Sequence, residues 1–237
     1  MNDPWLAVRV FLVLAGPFVG DFVATQAVAW PRVPSLFGRS QCGRCDAPIA
    51  IGAKIPILSW LLNRGRRRCC GGRIPIAYPL GEVAGLICGI AAAAADRPAM
   101  QAWIFAVGMT LIYIAMVDLR RFSIPSAGIA SLGIETALAL IASSRAEERL
   151  ATGAVLALAL AALRRFSGRG KRAGLGGGDI LLAGLLGVLV NWRLAAPMVA
   201  LAAVAPLAVQ LARRKSGPVP FGFWLSFAAG LTLLRWN

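Results

Sequence analysis

The chain has 237 residues, 58% of them hydrophobic and 15% charged, with a mean hydropathy of +0.71. That composition cannot cover a water-facing surface, and it is far too apolar for a disordered chain. A net charge of +15 would suit nucleic acid, but in so apolar a chain it points to orientation in a membrane, and no nucleic-acid partner is expected.

Apolar stretches of near-membrane length recur eight times, at about 5–28, 79–95, 98–117, 124–142, 149–163, 178–190, 194–212 and 219–236. In lipid the backbone must satisfy its own hydrogen bonds, so each stretch predicts a helix. The first follows no basic segment, since Met1 to Leu6 carries only Asp3, and it reads as a retained span rather than a cleaved leader. The fifth and sixth are short enough to be re-entrant. The expected fold is an all-α polytopic membrane protein with about eight transmembrane helices and one long polar loop, 31–77. Its Ala and Gly content suits close helix packing.

The charges give an orientation. The 31–77 loop holds nine basic residues: Arg32, Arg39, Arg44, Lys54, Arg64, Arg66, Arg67, Arg68 and Arg73. On the same side follow Arg120 and Arg121, then Arg164, Arg165, Arg169, Lys171 and Arg172, then Arg213, Arg214 and Lys215. This side collects 19 basic residues and the other side five (Arg97, Arg145, Arg149, Arg193 and Arg235), with Arg9 inside the first span. By the positive-inside rule the long loop is cytoplasmic and both termini face outward. Anionic lipid is the expected partner of the basic side.

There is no histidine, so Ser-His-Asp and Cys-His catalysis, His-ligated zinc and His proton shuttles are excluded. Acid–base work falls to the ten carboxylates, the basic side chains, the cysteines or the two tyrosines. Charges within spans cost about 2.5–3.5 kcal/mol each on insertion scales, which makes Asp21, Glu82, Asp118, Glu135 and Asp179 candidates. Asp118 ends the third span and Asp179 begins the sixth, so distant parts of the sequence deliver two carboxylates to the cytoplasmic border. Plainer roles exist: Asp179 as a helix N-cap, Asp118 as a partner of Arg120 or Arg121. The run Gly174-Leu175-Gly176-Gly177-Gly178 before Asp179 lacks the spacing of a dinucleotide loop and the Lys of a phosphate loop. It is either a linker or a place for backbone to approach a bound peptide.

These residues resemble the prepilin peptidases, or type IV leader peptidases, polytopic aspartic proteases with a G-x-G-D motif. Gly176-Gly177-Gly178-Asp179 matches that motif, and Asp118-Leu119 followed by Ile124-Pro125 looks like the first-aspartate motif. Cys42-Gly43-Arg44-Cys45, Ile55-Pro56-Ile57-Leu58-Ser59-Trp60-Leu61, Arg64-Gly65-Arg66, Tyr78-Pro79-Leu80-Gly81-Glu82 and Pro220-Phe221-Gly222 follow the family order. The resemblance implies catalytic Asp118 and Asp179, with Gly176, Gly177, Gly178 and Glu82 at the substrate. It implies cleavage of the basic leader of pilin or pseudopilin precursors just after a glycine, at the cytoplasmic face of the bacterial inner membrane. Many members then methylate the new N-terminus with S-adenosylmethionine. On this reading 1–95 is an amino-terminal region with a candidate methyltransferase part, and 96–237 is a six-span aspartic peptidase core. No cofactor is expected for cleavage: a water between two carboxylates that share one proton suffices. The helix dipole favours an anion at Asp179 and a proton at Asp118.

Cys42, Cys45, Cys69 and Cys70 on a cytoplasmic loop suggest either a structural zinc site or free thiols. The second pair departs from the family's Cys-x-x-Cys, which would put a cysteine at Arg67, and adjacent cysteines chelate one ion less easily. Cys88, inside a span, reads as packing. Gly20-Asp21-Phe22-Val23-Ala24 stands where the family commonly has Gly-Ser-Phe-Leu-Asn, and Ser126 where an acid or amide often follows Ile-Pro; these changes bear on methylation more than on cleavage. Two other readings compete: a non-catalytic assembly protein of a pilus or secretion system, and an ion-coupled transporter using the two aspartates. The leaders are basic and so is the cytoplasmic side, so Glu82, Asp46, Asp21 or anionic lipid must receive them.

Overall fold

The computed structural model describes residues 4–32, 41–42, 44–50, 55–166, 175–190, 192–213 and 219–233. Gly43, Gly174 and the loop bases Arg39, Lys54, Arg169, Lys171, Arg172, Arg214, Lys215 and Arg235 lie outside the described residues. Among the described residues the chain is helical without a strand: α1 (Leu6–Ala29), α2 (Leu58–Leu62), α3 (Ala77–Ala93), α4 (Pro98–Arg121), α5 (Ser126–Ile141), α6 (Ala146–Phe166), α7 (Gly177–Leu189), α8 (Trp192–Arg213) and α9 (Phe221–Leu233). Every expected span has its helix, and α2 is a short addition within the long loop. Helix α6 outruns the apolar stretch at both ends. Glu147 and Glu148 fill its first turn and Arg164 and Arg165 its last, each on the side the dipole favours.

Helices α1, α4 and α8 are long and apolar enough to cross a membrane, and α3, α5, α7 and α9 are shorter apolar helices. Large apolar side chains such as Phe11, Leu14, Leu158 and Leu211 face outward. Such outward faces suit a multi-pass protein whose solvent is lipid.

The chain divides into two compact units, Met1–Tyr113 and Ile114–Asn237. In the first, α1 and α3 meet along glycines spaced by four: Gly16 and Gly20 on one, Gly81, Gly85 and Gly89 on the other. A Cβ on Gly16 would fall on the Gly85 carbonyl oxygen, and one on Gly20 on that of Gly81. The helices therefore touch backbone to backbone, as small-xxx-small packing allows. Ala24 extends this seam: it is fully buried, and a Cβ on Gly81 would lie 2.6 Å from its own. Cys88 packs as expected, its thiol 3.7 Å from the Phe105 carbonyl oxygen.

In the second unit a similar seam joins α6 to α7, where a Cβ on Gly187 would lie 2.8 Å from the Gly153 Cα. Ile114, Val117, Leu132, Leu182, Leu186 and Leu225 form its buried core. Helix α4 stops where Phe122 turns left-handed (φ 51°), and its N–H bonds the Asp118 carbonyl at 2.8 Å. The chain then runs extended to Pro125, which starts α5 at Ser126.

Candidate active site and cysteine centre

Asp118 sits in the last turn of α4 and Asp179 in the first turn of α7. Both are buried, at 4% and 9% exposure, and the charge of Asp179 acts on Asp118. Asp118 Oδ2 accepts the Phe223 N–H at 2.9 Å, so the start of α9 meets the end of α4. A Cβ at Gly222 would lie 3.2 Å from that same Oδ2, so a glycine makes this approach easiest. Pro220-Phe221-Gly222 thus acquires a physical reason: it puts free amides of a helix start on Asp118.

Asp179 is not the N-cap; that place belongs to Gly176. Asp179 is the third helical residue, and its Oδ2 reaches back to accept the Gly176 N–H at 2.7 Å. Ile124 packs against the segments on either side of the site, Gly178 next to Asp179 and Gly222 next to the Asp118 carboxylate. A Cβ on Gly178 would lie 3.1 Å from its Cβ, and one on Gly222 would lie 3.1 Å from its Cδ1. Gly176 and Gly178 are therefore partly explained by packing, whereas among the described residues a Cβ on Gly177 would meet only Arg164 Nη1, at 3.5 Å. Arg164, at the end of α6, also acts electrostatically on Asp179. In the sequence Arg164 is one loop base among several, because nothing there brings residue 164 to residue 179.

The other intramembrane carboxylates lie elsewhere. Glu82 on α3 is buried, and its Oε2 accepts the Ile57 N–H at 2.5 Å. Ile57 (φ 62°, ψ −53°) is the centre of a tight γ-turn closed by Leu58 N–H on the Pro56 carbonyl at 2.5 Å. That backbone is costly for a β-branched residue, so the Glu82 anchor holds a strained start to α2. Asp21 is an electrostatic neighbour of Glu82. Glu135, inside α5, accepts the Ser131 hydroxyl at 3.3 Å.

The four loop cysteines converge. Their sulfurs all lie within 4.8 Å of one another, with Cys45–Cys69 at 3.4 Å and Cys42–Cys70 at 3.8 Å. Four thiolates at 2.3 Å around one tetrahedral ion stand about 3.8 Å apart, so the set fits a metal. Adjacent Cys69 and Cys70 do reach one centre, because a turn over 68–70 separates their side chains. The Arg44 and Cys45 amides lower the Cys42 thiol to about 6, while hydrogen bonding with Cys45 and Cys42 pushes Cys69 up to about 12. Arg67 donates from Nη1 to Cys42 Sγ at 3.3 Å.

Comparison with known proteins gives the following. Residues 14–95 match the bacterial Peptidase A24 N-terminal domain, and residues 103–211 match the type IV leader peptidase family. A prepilin leader peptidase/N-methyltransferase of Pectobacterium carotovorum subsp. carotovorum is 30% identical over 198 residues, 79% of this chain and 71% of the relative. One of the same name in Myxococcus xanthus is 30% identical over 223 residues, 88% of this chain and 65% of the relative. A type 4 prepilin-like proteins leader peptide-processing enzyme of Escherichia coli O78:H11 is 30% identical over 225 residues, 91% of this chain and 81% of the relative. No solved structure matches the chain.

Proposed function

Because the chain belongs to the type IV leader peptidase family, we propose that it is an intramembrane aspartic endopeptidase that removes the basic leader from type IV pilin-like precursors. Asp118 and Asp179 are the proposed catalytic pair. The observation that supports this reading is the burial of both carboxylates, at the end of α4 and the start of α7, with Ile124 packed against Gly178 beside Asp179 and against Gly222 beside Asp118.

In the proposed mechanism each carboxylate keeps Oδ2 on a backbone N–H and works with Oδ1. Two carboxylates in one buried site resist joint ionisation, so the proposed pair carries one proton. Asp179 lies in the first turn of α7, accepts the Gly176 amide and has Arg164 Nη1 near the same helix start, an arrangement that suits an anion better than the end of α4 does. Asp118 ends α4, where the dipole opposes an anion, although the start of α9 offsets part of that. Asp179 is therefore the base that takes a proton from water, and Asp118 donates its proton to the scissile carbonyl oxygen. The tetrahedral intermediate then collapses as a proton passes to the leaving amine. A 13-residue α7 is about 20 Å long against a hydrocarbon core of about 30 Å, so one end starts inside the membrane's thickness. That end is assigned to Asp179, at the cytoplasmic face of a bacterial inner-membrane protein, as the charge bias indicates.

Gly176, Gly177 and Gly178 are assigned to close approach of the substrate backbone, with Gly177 the least committed to packing. Glu82, with Asp21 beside it, is assigned to the leader's basic side chains, although Ile57 already occupies one of its oxygens. Residues 96–237 form the proposed peptidase core. Residues 1–95 hold the zinc-binding loop, and zinc bound by Cys42, Cys45, Cys69 and Cys70 supplies a rigid cross-link there. Methylation with S-adenosylmethionine is the proposed second activity of this amino-terminal region. Ala24 is committed to the α1–α3 seam and Glu82 to Ile57, so no methyl-transfer step is derived from them. Pilin or pseudopilin precursors and anionic lipid are the proposed partners, without nucleic acid.

Co-expression with a pilin precursor tests the reading. The wild type shortens the precursor to its mature size, while Asp118→Asn and Asp179→Asn accumulate in the membrane without doing so. Processing by either variant refutes the mechanism and favours an assembly or transport role. Mass spectrometry of the mature N-terminus reads methylation directly, as one added methyl group.

A further inference from the structure

The cysteine centre is built from two copies of one turn, and the copies do not carry the same ligands. In the first, the Cys42 N–H bonds the Ala47 carbonyl at 2.9 Å and the Asp46 N–H bonds the Cys42 carbonyl at 2.8 Å. In the second, the Arg67 N–H bonds the Gly72 carbonyl at 2.8 Å and the Gly71 N–H bonds the Arg67 carbonyl at 2.9 Å. Antiparallel bridges close both turns, Gln41 with Pro48 and Arg66 with Arg73. The fifth residue of each is left-handed, Asp46 at φ 53° and Gly71 at φ 62°. The backbone thus equates Cys42 with Arg67 and Cys45 with Cys70. Cys69, at the third place of the second turn, has a sulfur in the cluster, whereas its counterpart Arg44 has none.

We infer that this metal centre has exchanged a ligand for a cation: Cys69 supplies the fourth thiolate that the turn's own symmetry assigns to position 67, and Arg67 is an outer donor that holds the Cys42 thiolate. This rests on the zinc reading above. The chemistry is balanced in charge. Four thiolates around a dication carry a net charge of −2, and a guanidinium 3.3 Å from one sulfur offsets part of it through a charge-assisted hydrogen bond. Arg67 cannot itself bind the ion, because a guanidinium has no lone pair to give at neutral pH. Its side chain needs room beside Cys42, and the ligand role passes to the neighbouring turn position.

The test uses the purified full chain in detergent. Zinc affinity is read by competition with a chelating dye, and thiolate number by the charge-transfer absorption of the cobalt(II)-substituted protein. Wild type is expected to show four thiolates. Cys69→Ser should lose one thiolate and most of its zinc affinity. The double variant Arg67→Cys with Cys69→Ser should regain four thiolates, because position 67 is a ligand place in the turn. Arg67→Gln should keep four thiolates but bind zinc about 10–100-fold more weakly, as loss of an outer hydrogen bond does elsewhere. A wild type that binds no metal overturns the zinc reading and this inference with it. A four-thiolate wild type overturns the exchange alone if Cys69→Ser keeps four thiolates or the double variant recovers none, and overturns the donor role if Arg67→Gln binds zinc as tightly as wild type.

Discussion

Replacing Gly222 with alanine tests whether the start of α9 holds Asp118 in its working position. The new Cβ lies 3.2 Å from Asp118 Oδ2, 3.1 Å from Ile124 Cδ1 and 3.2 Å from Ile124 Cγ1, all tighter than ordinary contact at 3.4–4 Å. Something must retreat by a few tenths of an ångström. Ile124 and the Asp118 carboxylate are the two groups that can move. The share taken by the carboxylate lengthens the 2.9 Å Phe223 N–H bond. That bond is worth about 1 kcal/mol while Asp118 is protonated and up to about 3 kcal/mol while it is charged. At about tenfold in rate per 1.4 kcal/mol, complete loss of the bond would slow cleavage by about 5-fold to 140-fold, which bounds the effect. The assay is single-turnover cleavage of a purified pilin precursor, with protein level and thermal stability measured in parallel. Gly230→Ala is the control on the same helix, because its Cβ would meet nothing within 4 Å among the described residues. Wild-type cleavage by Gly222→Ala would show that Asp118 does not depend on α9.

Arg164→Gln should slow cleavage and Arg164→Lys should restore most of it, since the proposed role is a positive charge beside Asp179; equal loss in both variants would make the role one of shape. Infrared titration of Asp118→Asn and Asp179→Asn should find the more stable anion at Asp179, and an anion at Asp118 instead would reverse base and acid. Gly85→Ala places a Cβ on the Gly16 carbonyl oxygen and 2.9 Å from the Gly20 Cα, so it should destabilise the first unit by about 1–3 kcal/mol. The midpoint of denaturation in mixed detergent reads this, and an unchanged midpoint would mean that the seam opens without cost. Glu82→Leu strips the Ile57 amide of its acceptor, so amide exchange across residues 57–62 should accelerate, whereas Ile57→Gly should keep the turn at less strain. Protection unchanged in Glu82→Leu would remove the anchoring role.

The apolar runs were sufficient to locate every long helix, because crossing lipid demands a run of that length whatever the helix packs against. Presence in an apolar span marked five carboxylates, because a charge there is costly, and only the resemblance of Gly176-Gly177-Gly178-Asp179 and Asp118-Leu119 to the family's motifs singled out two of them. The same apolarity hid the rest. In water a helix betrays its buried face by alternating polar and apolar residues; in lipid both faces are apolar, so the sequence of α1 does not say that Gly16, Gly20 and Ala24 are the side that meets α3. Contacts between distant loops were equally illegible. Arg164 at Asp179, Phe223 on Asp118 and Glu82 on Ile57 each join residues whose separation along the chain carries no signal of proximity. The cysteines show the division most clearly. Their spacing suggested a poor second chelating pair, and the spacing was real. Folded, two equivalent turns aim the sulfurs at one point and bring Arg67 onto Cys42, because hydrogen bonds of the backbone, rather than the count of residues between ligands, set where side chains point.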